Sequence, residues 1–467
     1  MDSSAPAWLT PPADVNALDP AIWPASVHRD GAGELVIAGH TATELVTQFG
    51  SPLYLIDEDD FRARARGFAT AFAGWHVAYA GKAFLSRHVA RWVDEAGLGL
   101  DVCSGNELAV ALAAGFPPAR ITLHGNNKSL TELAAAIEAP VGQIVVDCGE
   151  EIDRIEALAA ARHQTVNVLV RVTPGVEANT HEYIATAVED QKFGFSIHSG
   201  RALEALLRCH GEPHMNLTGI HLHIGSQVFD TQAYALAAKR AIDLLAAFRD
   251  ATGVELTTLN LGGGFGIAYT AADDPLGADR QAAGLAPVIE ANRLAAGLGP
   301  LTLAIEPGRA ICGPGSLALY TVGVVKPIEL DDGTTRTYVA VDGGMSDNPR
   351  TALYHAEYTA VLANRSSTST PALARVVGKH CESGDILVHD VYLGADVRPG
   401  DLVAVPGALA YARSLASNYN HATKPAVVAV GERGAHLVLR RETLADLLAL
   451  DVDPGARDDR GTAGKEG

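Results

Sequence analysis

Lys82 closes the run Val77-Ala78-Tyr79-Ala80-Gly81-Lys82-Ala83. The residues before it are apolar and strand-like, so its amine sits where a buried strand ends, a place in which an ammonium is costly to desolvate. One chemical reason for such a lysine is Schiff-base formation with an aldehyde, which a depressed pKa would favour. Taken alone, a strand-end lysine reaching for solvent is the commoner case. The residues that accompany it decide otherwise.

Gly262-Gly263-Gly264-Phe265-Gly266 has the composition of a phosphate cradle, in which bare backbone N–H groups approach an anion. Ser226, in His223-Ile224-Gly225-Ser226-Gln227, could add a hydroxyl to the same anion, and the His223 ring could lie against a flat aromatic cofactor. Glu306 opens Glu306-Pro307-Gly308-Arg309. A carboxylate beside a pyridine nitrogen keeps that nitrogen protonated, so the ring can accept electrons from a carbanion. An internal Glu306–Arg309 ion pair is the simpler alternative. Together the pieces suit pyridoxal 5'-phosphate.

Further along, Gly378-Lys379-His380-Cys381-Glu382-Ser383-Gly384-Asp385 offers a thiol as proton donor with a neighbouring carboxylate for recognition. No second thiol accompanies it and the ligand spacing is poor, so no metal is expected. Arg350 and Tyr354, in Asp347-Asn348-Pro349-Arg350-Thr351-Ala352-Leu353-Tyr354, could clamp a carboxylate.

These residues need a scaffold, and the chain repeats one unit eight times: a short apolar strand, a polar turn, a helical stretch. The strands read as His76–Lys82, Leu98–Cys103, Arg120–His124, Gln143–Cys148, Val166–Val172, Leu217–Ile224, Leu256–Leu261 and Leu301–Ile305. Ser104-Gly105-Asn106-Glu107 and Ser129-Leu130-Thr131-Glu132 read as capping boxes at helix starts. Eight such units predict a closed parallel (β/α)8 barrel, with an open doubly wound sheet as the alternative. In a closed barrel the C-terminal strand ends share one rim. Lys82, Ser104, His124, Arg171, His223, the triple glycine and Glu306 all fall there, and only the strand ending at Cys148 offers nothing reactive.

After Gly315 the texture changes to short strands separated by turn residues, which suggests an antiparallel barrel or sandwich. The expected organisation is a barrel over 52–314, a discontinuous β domain from 1–51 and 315–452, and a disordered tail over 453–467. The polar stretch 177–192 has the length and composition of a lid.

At 467 residues with 48% hydrophobic content, the chain supports two or three globular domains. A formal charge of −19 without a basic stripe argues against nucleic acid as a partner. There is no apolar run of membrane-spanning length and no signal-peptide pattern at the N-terminus. Five cysteines without CxxC spacing fit a reducing compartment, and the expected location is the cytoplasm. Cys103 and Cys148 read as packing residues.

The sequence resembles the diaminopimelate decarboxylases, pyridoxal-phosphate enzymes of the alanine-racemase-type fold. The resemblance runs from about Ser51 to about Val430. It rests on the Tyr-Ala-x-Lys-Ala run at Lys82, Asp101-Val102-Cys103-Ser104-Gly105, His124-Gly125-Asn126-Asn127-Lys128, the His223 motif, the triple glycine, Glu306-Pro307-Gly308-Arg309 and the Cys381 motif. It implies that Lys82 carries the cofactor's Schiff base, His223 stacks on the ring and Glu306 pairs with the pyridine nitrogen. Ser226, Gly262, Gly263, Gly264, Gly308 and Arg309 would hold the phosphate. Arg309, Arg350, Tyr354 and Tyr411 match substrate-contacting positions, Tyr411 also lying near the cofactor. Glu382 matches the residue that reads the distal amine, and Cys381 the one linked to protonation. A homodimer is implied, with the Cys381 loop entering the partner's barrel. Leu409 departs from the family, which usually has glycine there.

The implied reaction is decarboxylation of meso-2,6-diaminopimelate to L-lysine and CO2. The alternatives are the same chemistry on ornithine, arginine or a carboxylated polyamine precursor, a racemase, or a non-catalytic cofactor carrier. Arg350 and Glu382 together favour a substrate with both a distal carboxylate and a distal amine.

Overall fold

The computed structural model describes residues 5–6, 8–176 and 192–452. The tail over 453–467 and all but the last residue of the stretch read as a lid lie outside the described residues.

Eight parallel strands close the first sheet: His76–Ala80, Gly99–Val102, Ile121–Leu123, Gln143–Val146, Val166–Thr173, Met215–Leu222, Thr258–Asn260 and Thr302–Ile305, with the short Phe195–Ser196 paired beside the fifth. Each pairs with the next, and the last returns to the first with Ala304 beside His76 and Ile305 beside Val77. The sheet is therefore a closed barrel, and the open alternative falls. Strands covered on both sides need near-continuous apolar sequence, and Val168, Leu169 and Val170 are fully buried. Backbones also approach closely between the sixth and seventh strands. A Cβ on Gly219 would lie 1.9 Å from the Thr258 carbonyl oxygen, so only glycine fits there.

The helices Gly105–Ala113, Leu130–Glu138 and Gly149–Arg162 come after the second, third and fourth strands. Ser129 and Glu132 form the expected capping box. The Ser104 motif does so only by half. Ser104 accepts from the Glu107 amide, but the Glu107 carboxylate reaches one residue further back, to the Cys103 N–H at 2.6 Å. Helix Glu58–Ala71 packs on the first strand through aromatic rings: Phe61 lies 5.4 Å from Tyr79 and 5.5 Å from Trp92 between centroids. Burying each of these side chains stabilises the fold by roughly 1.5–3 kcal/mol. That packing fixes the strand that ends at Lys82.

The second sheet has the order Ile386–Gly394, Pro371–Val377, Thr335–Val341, Ser316–Glu329, Leu53–Asp57, Ala426–Val430, His436–Leu439. Strand Ser316–Glu329 leaves the barrel directly and also pairs with Leu402–Pro406. Two pairings are parallel, Ala426–Val430 with Leu53–Asp57 and Thr335–Val341 with Pro371–Val377, so this sheet is mixed rather than purely antiparallel. Its fifth strand corrects the expected boundary. Leu53–Asp57 belongs to this sheet, and the barrel's own elements begin with the helix at Glu58. Leu409, where the resemblance leads to an expectation of glycine, is fully buried in the core. Among the described residues no helix is long and apolar enough to cross a membrane.

Candidate active site

A cavity of about 930 Å³ opens at the C-terminal ends of the barrel strands, beneath the second sheet. Lys82, His223, Ser226, Gly263, Gly264, Glu306, Gly308, Arg309, Arg350, Tyr354 and Tyr411 all line it. Gly262 stands just behind.

Lys82 rides a single turn, Gly81–Ala83, directly after the first strand. Its surface is open to the cavity while protein encloses it on the other sides. Burial pushes the ammonium's pKa down, but Tyr411, Cys103 and Glu306 outweigh it and the net direction is up. The net direction is therefore opposite to the depression that Schiff-base formation would favour.

The three glycines are a packing requirement. Gly262 and Gly264 have φ of +69° and +120°, the region glycine favours. A Cβ on Gly262 would meet the Leu222 oxygen at 2.3 Å, on Gly263 the Glu306 oxygen at 2.5 Å, and on Gly264 the Gly225 oxygen at 2.7 Å. Bare backbone here brings the ends of the sixth, seventh and eighth strands together around the cavity floor. Beside it, Arg309 donates to Ser226 Oγ at 3.0 Å and to the Tyr269 hydroxyl at 2.7 Å. Its guanidinium carbon lies 4.5 Å from the Tyr411 ring centroid. Tyr411 is tied to the lysine turn, its N–H donating to the Ala83 oxygen at 2.7 Å.

Glu306 is buried and makes no ion pair with Arg309. Asn260 Nδ2 donates to its Oε1 at 2.7 Å, His221 Nε2 lies 3.2 Å from Oε2, and His124 Nε2 lies 3.2 Å from Oε1. Burial alone would push this carboxyl up, but His124 and His221 hold it well below the usual carboxylate range. Burial, together with Lys82 and Arg171, holds His223 well below the usual histidine value, so its ring is neutral.

Arg350 is buried at the other side of the cavity. It donates to the Tyr358 hydroxyl and stands 4.9 Å from the Tyr269 ring centroid. Tyr269 thus touches both arginines. Tyr354 is exposed.

Cys381 and Glu382 are not brought into this cavity. Both are exposed on the second sheet's surface, where Tyr419 donates to Glu382 Oε1 and His380 is held by Asn420 and Ser346 at 2.8 Å each. Cys103 is likewise exposed and Cys148 half-buried as a helix N-cap, so neither is the core residue expected. The strand end judged unreactive carries Asp147, whose Oδ1 accepts from the Gly194 amide at 3.0 Å and whose Oδ2 lies 3.8 Å from Arg171 Nε.

Sequence reasoning missed His221, Asn260, Tyr269 and Tyr358. His221 was within reach, since it is two residues from His223 on one strand and so points to the same side. An amine, a buried carboxylate, a neutral imidazole and a glycine–arginine cradle in one cavity suit a flat aromatic aldehyde with an anionic arm. The residues present fit pyridoxal 5'-phosphate.

Residues 58–313 match the family described as pyridoxal-dependent decarboxylase, pyridoxal binding domain. The chain is 53% identical to a diaminopimelate decarboxylase of Mycobacterium tuberculosis over 443 residues, covering 93% of this chain and 98% of that one. It is 46% identical to the Bacillus subtilis diaminopimelate decarboxylase, over 90% of this chain and 95% of the relative. Among solved structures, the diaminopimelate decarboxylase from M. jannaschii in complex with L-lysine superposes with a TM-score of 0.84 at 30% identity, covering 92% of this chain and 98% of that one.

Proposed function

This chain belongs to the diaminopimelate decarboxylases, and on that ground we propose that it removes CO2 from meso-2,6-diaminopimelate to give L-lysine, using pyridoxal 5'-phosphate. The observation that carries the reading is the convergence of Lys82, His223, Glu306, Arg309 and Arg350 on one cavity.

Pyridoxal 5'-phosphate supplies an electron sink for the carbon that loses CO2. Lys82 Nζ would hold it covalently. Glu306, held ionised, would keep a proton on the pyridine nitrogen, and the neutral His223 ring would lie against the aromatic ring. Arg309, Ser226 and the backbone of Gly262, Gly263, Gly264 and Gly308 hold the phosphate. Arg350 and Tyr354 bind the substrate's distal carboxylate, a bidentate role that suits a guanidinium already fixed by Tyr358. Arg309 and Tyr411 orient the substrate between cofactor and mouth.

Glu382 receives the distal amine and Cys381 returns a proton to the reacting carbon. Both do so in a homodimer, from the partner copy's surface into this barrel. Their exposure in the single chain supports that reading. Five free cysteines support the cytoplasm as its compartment.

The test is a product assay: the protein, with pyridoxal phosphate, is given meso-diaminopimelate, ornithine and arginine separately, and products are identified by mass. Lysine from diaminopimelate alone is expected. An amine from ornithine or arginine instead would overturn the substrate assignment.

A further inference from the structure

Two carboxylates face one imidazole nitrogen just behind the cavity wall. His124 Nε2 lies 3.2 Å from Glu306 Oε1 and 3.7 Å from Asp101 Oδ1, ion-pair distances. All three side chains are buried, and neither the carboxylate oxygens of Asp101 nor His124 Nε2 have a partner in hydrogen-bonding geometry, so charge is what joins them. They come from separate elements: Asp101 from the second strand, His124 from the end of the third, Glu306 from the end of the eighth.

The arrangement is braced from behind. The His124 N–H donates to the Val102 oxygen at 2.8 Å, fixing the end of the third strand to the second. Lys128, also buried, donates to the Gly125 and Val145 oxygens at 2.6 and 2.7 Å and pairs with Glu151 at 3.0 Å. The loop that carries His124 is therefore held by a buried cation, and the ring has little freedom to leave the carboxylates.

Two buried carboxylates this close cannot both ionise unless a cation stands by them. We propose that His124 is a positioning residue which, by standing between Asp101 and Glu306, keeps Glu306 ionised and ready to meet the pyridine nitrogen. This rests on the role given to Glu306 above. Its consequence is that affinity for the cofactor depends on a histidine that does not line the cavity.

The protonation preferences agree with the geometry. Burial opposes charge on His124, yet Glu306 and Asp101 raise it to about 9. Asp101 is raised to about 7, by burial first and by Glu306 second. Near neutrality the imidazole holds the proton, Glu306 does not, and Asp101 is the group that gives way. The other titratable groups facing the cluster are Lys82, Cys103, Glu107, Arg171, His221 and His223. His221 does not substitute for His124: burial lowers it to about 4, so near neutrality it offers Glu306 a hydrogen bond but no positive charge.

The test is the dissociation constant for pyridoxal phosphate, by fluorescence quenching from pH 6 to 9, in wild type, His124→Asn, His124→Asn/Asp101→Asn and Glu306→Gln. Without the imidazolium, Asp101 and Glu306 must share a proton, so Glu306 ionises only at higher pH. The expected result for His124→Asn is an affinity about tenfold or more weaker near pH 6.5, a one-unit displacement, with a smaller loss at pH 9. Adding Asp101→Asn removes the competing carboxylate and is expected to restore most of that affinity. A merely structural role for His124 would not be rescued this way. Should asparagine unsettle the barrel, His124→Gln is measured in its place.

Unchanged binding in His124→Asn, or a loss that Asp101→Asn does not relieve, would overturn the proposal while Glu306→Gln still bound weakly. Unchanged binding in Glu306→Gln would instead remove the role of Glu306, and this inference with it.

Discussion

The Tyr79 hydroxyl donates to the Phe84 carbonyl oxygen at 2.9 Å, bridging the turn on which Lys82 sits. Tyr79 is fully buried on the first barrel strand, so a packing residue of the core also closes the turn that presents the amine.

Tyr79→Phe keeps the ring and removes the bridge. The Phe84 carbonyl loses a buried donor, which costs about 1–3 kcal/mol. Urea unfolding is expected to show that loss, with a weaker hold on pyridoxal phosphate because the lysine turn loosens. Wild-type stability in this variant would mean the bond contributes nothing.

Arg309 joins Ser226, Tyr269 and Tyr411 at the end of the cavity proposed to hold the phosphate. Charge-assisted hydrogen bonds of this kind are each worth about 1.5–3 kcal/mol, so Arg309→Met is expected to weaken cofactor binding by roughly 10- to 100-fold. Equilibrium dialysis measures it directly. The same variant should bind pyridoxal, which lacks the phosphate, almost as wild type does.

Asp347 provides a pH signature outside the cavity. It is buried with the Tyr320 hydroxyl on Oδ1 at 2.8 Å and the Gly344 N–H on Oδ2 at 2.9 Å, and burial raises its pKa to about 7 against those bonds. A raised acid favours the folded state while protonated. Its contribution is full below about pH 4 and is lost as pH rises through about 7. Asp347→Asn should flatten that decline, worth on the order of 4 kcal/mol, with amide oxygen toward Gly344 and amide nitrogen toward Tyr320. Thermal melts from pH 4 to 8 compare the two, and parallel curves would contradict the assignment.

A shared site predicts complementation. Lys82→Ala and Cys381→Ala are each expected to lose most activity, Cys381→Ala while still binding cofactor. Mixed and allowed to exchange, they should regain about a quarter of wild-type activity, because half the dimers are mixed and each of those has one intact site. No recovery despite exchange would place Cys381 in its own chain's site, or outside the chemistry.

Much of this was legible because barrel strands announce themselves. Runs such as Val168-Leu169-Val170 and Ile144-Val145-Val146 are continuously apolar, and caps such as Ser129 mark where the helices between them start. Lys82, His223 and Glu306 could be placed because each stands at a strand end, where sequence order fixes position on the rim, and Arg309 follows Glu306 by one short turn. Tyr269 and Tyr358 could not. Each sits outside regular strands and helices, where no periodicity says which way a side chain turns, and they meet at 5.1 Å only through the tertiary fold. Leu53–Asp57 was assigned to the wrong body for a similar reason: an apolar strand does not declare which sheet will pair with it. Glu107 shows the limit of a motif, since its carboxylate found Cys103 where the spacing pointed to Ser104.

The central claim is that this cavity is a pyridoxal-phosphate site organised on Lys82. Its most direct test is borohydride reduction of the cofactor-loaded protein, with peptide mass mapping of the product. The account predicts one reduced pyridoxyl-phosphate adduct, on Lys82, and none in Lys82→Ala. An adduct on another lysine, or none in the wild type, would contradict it.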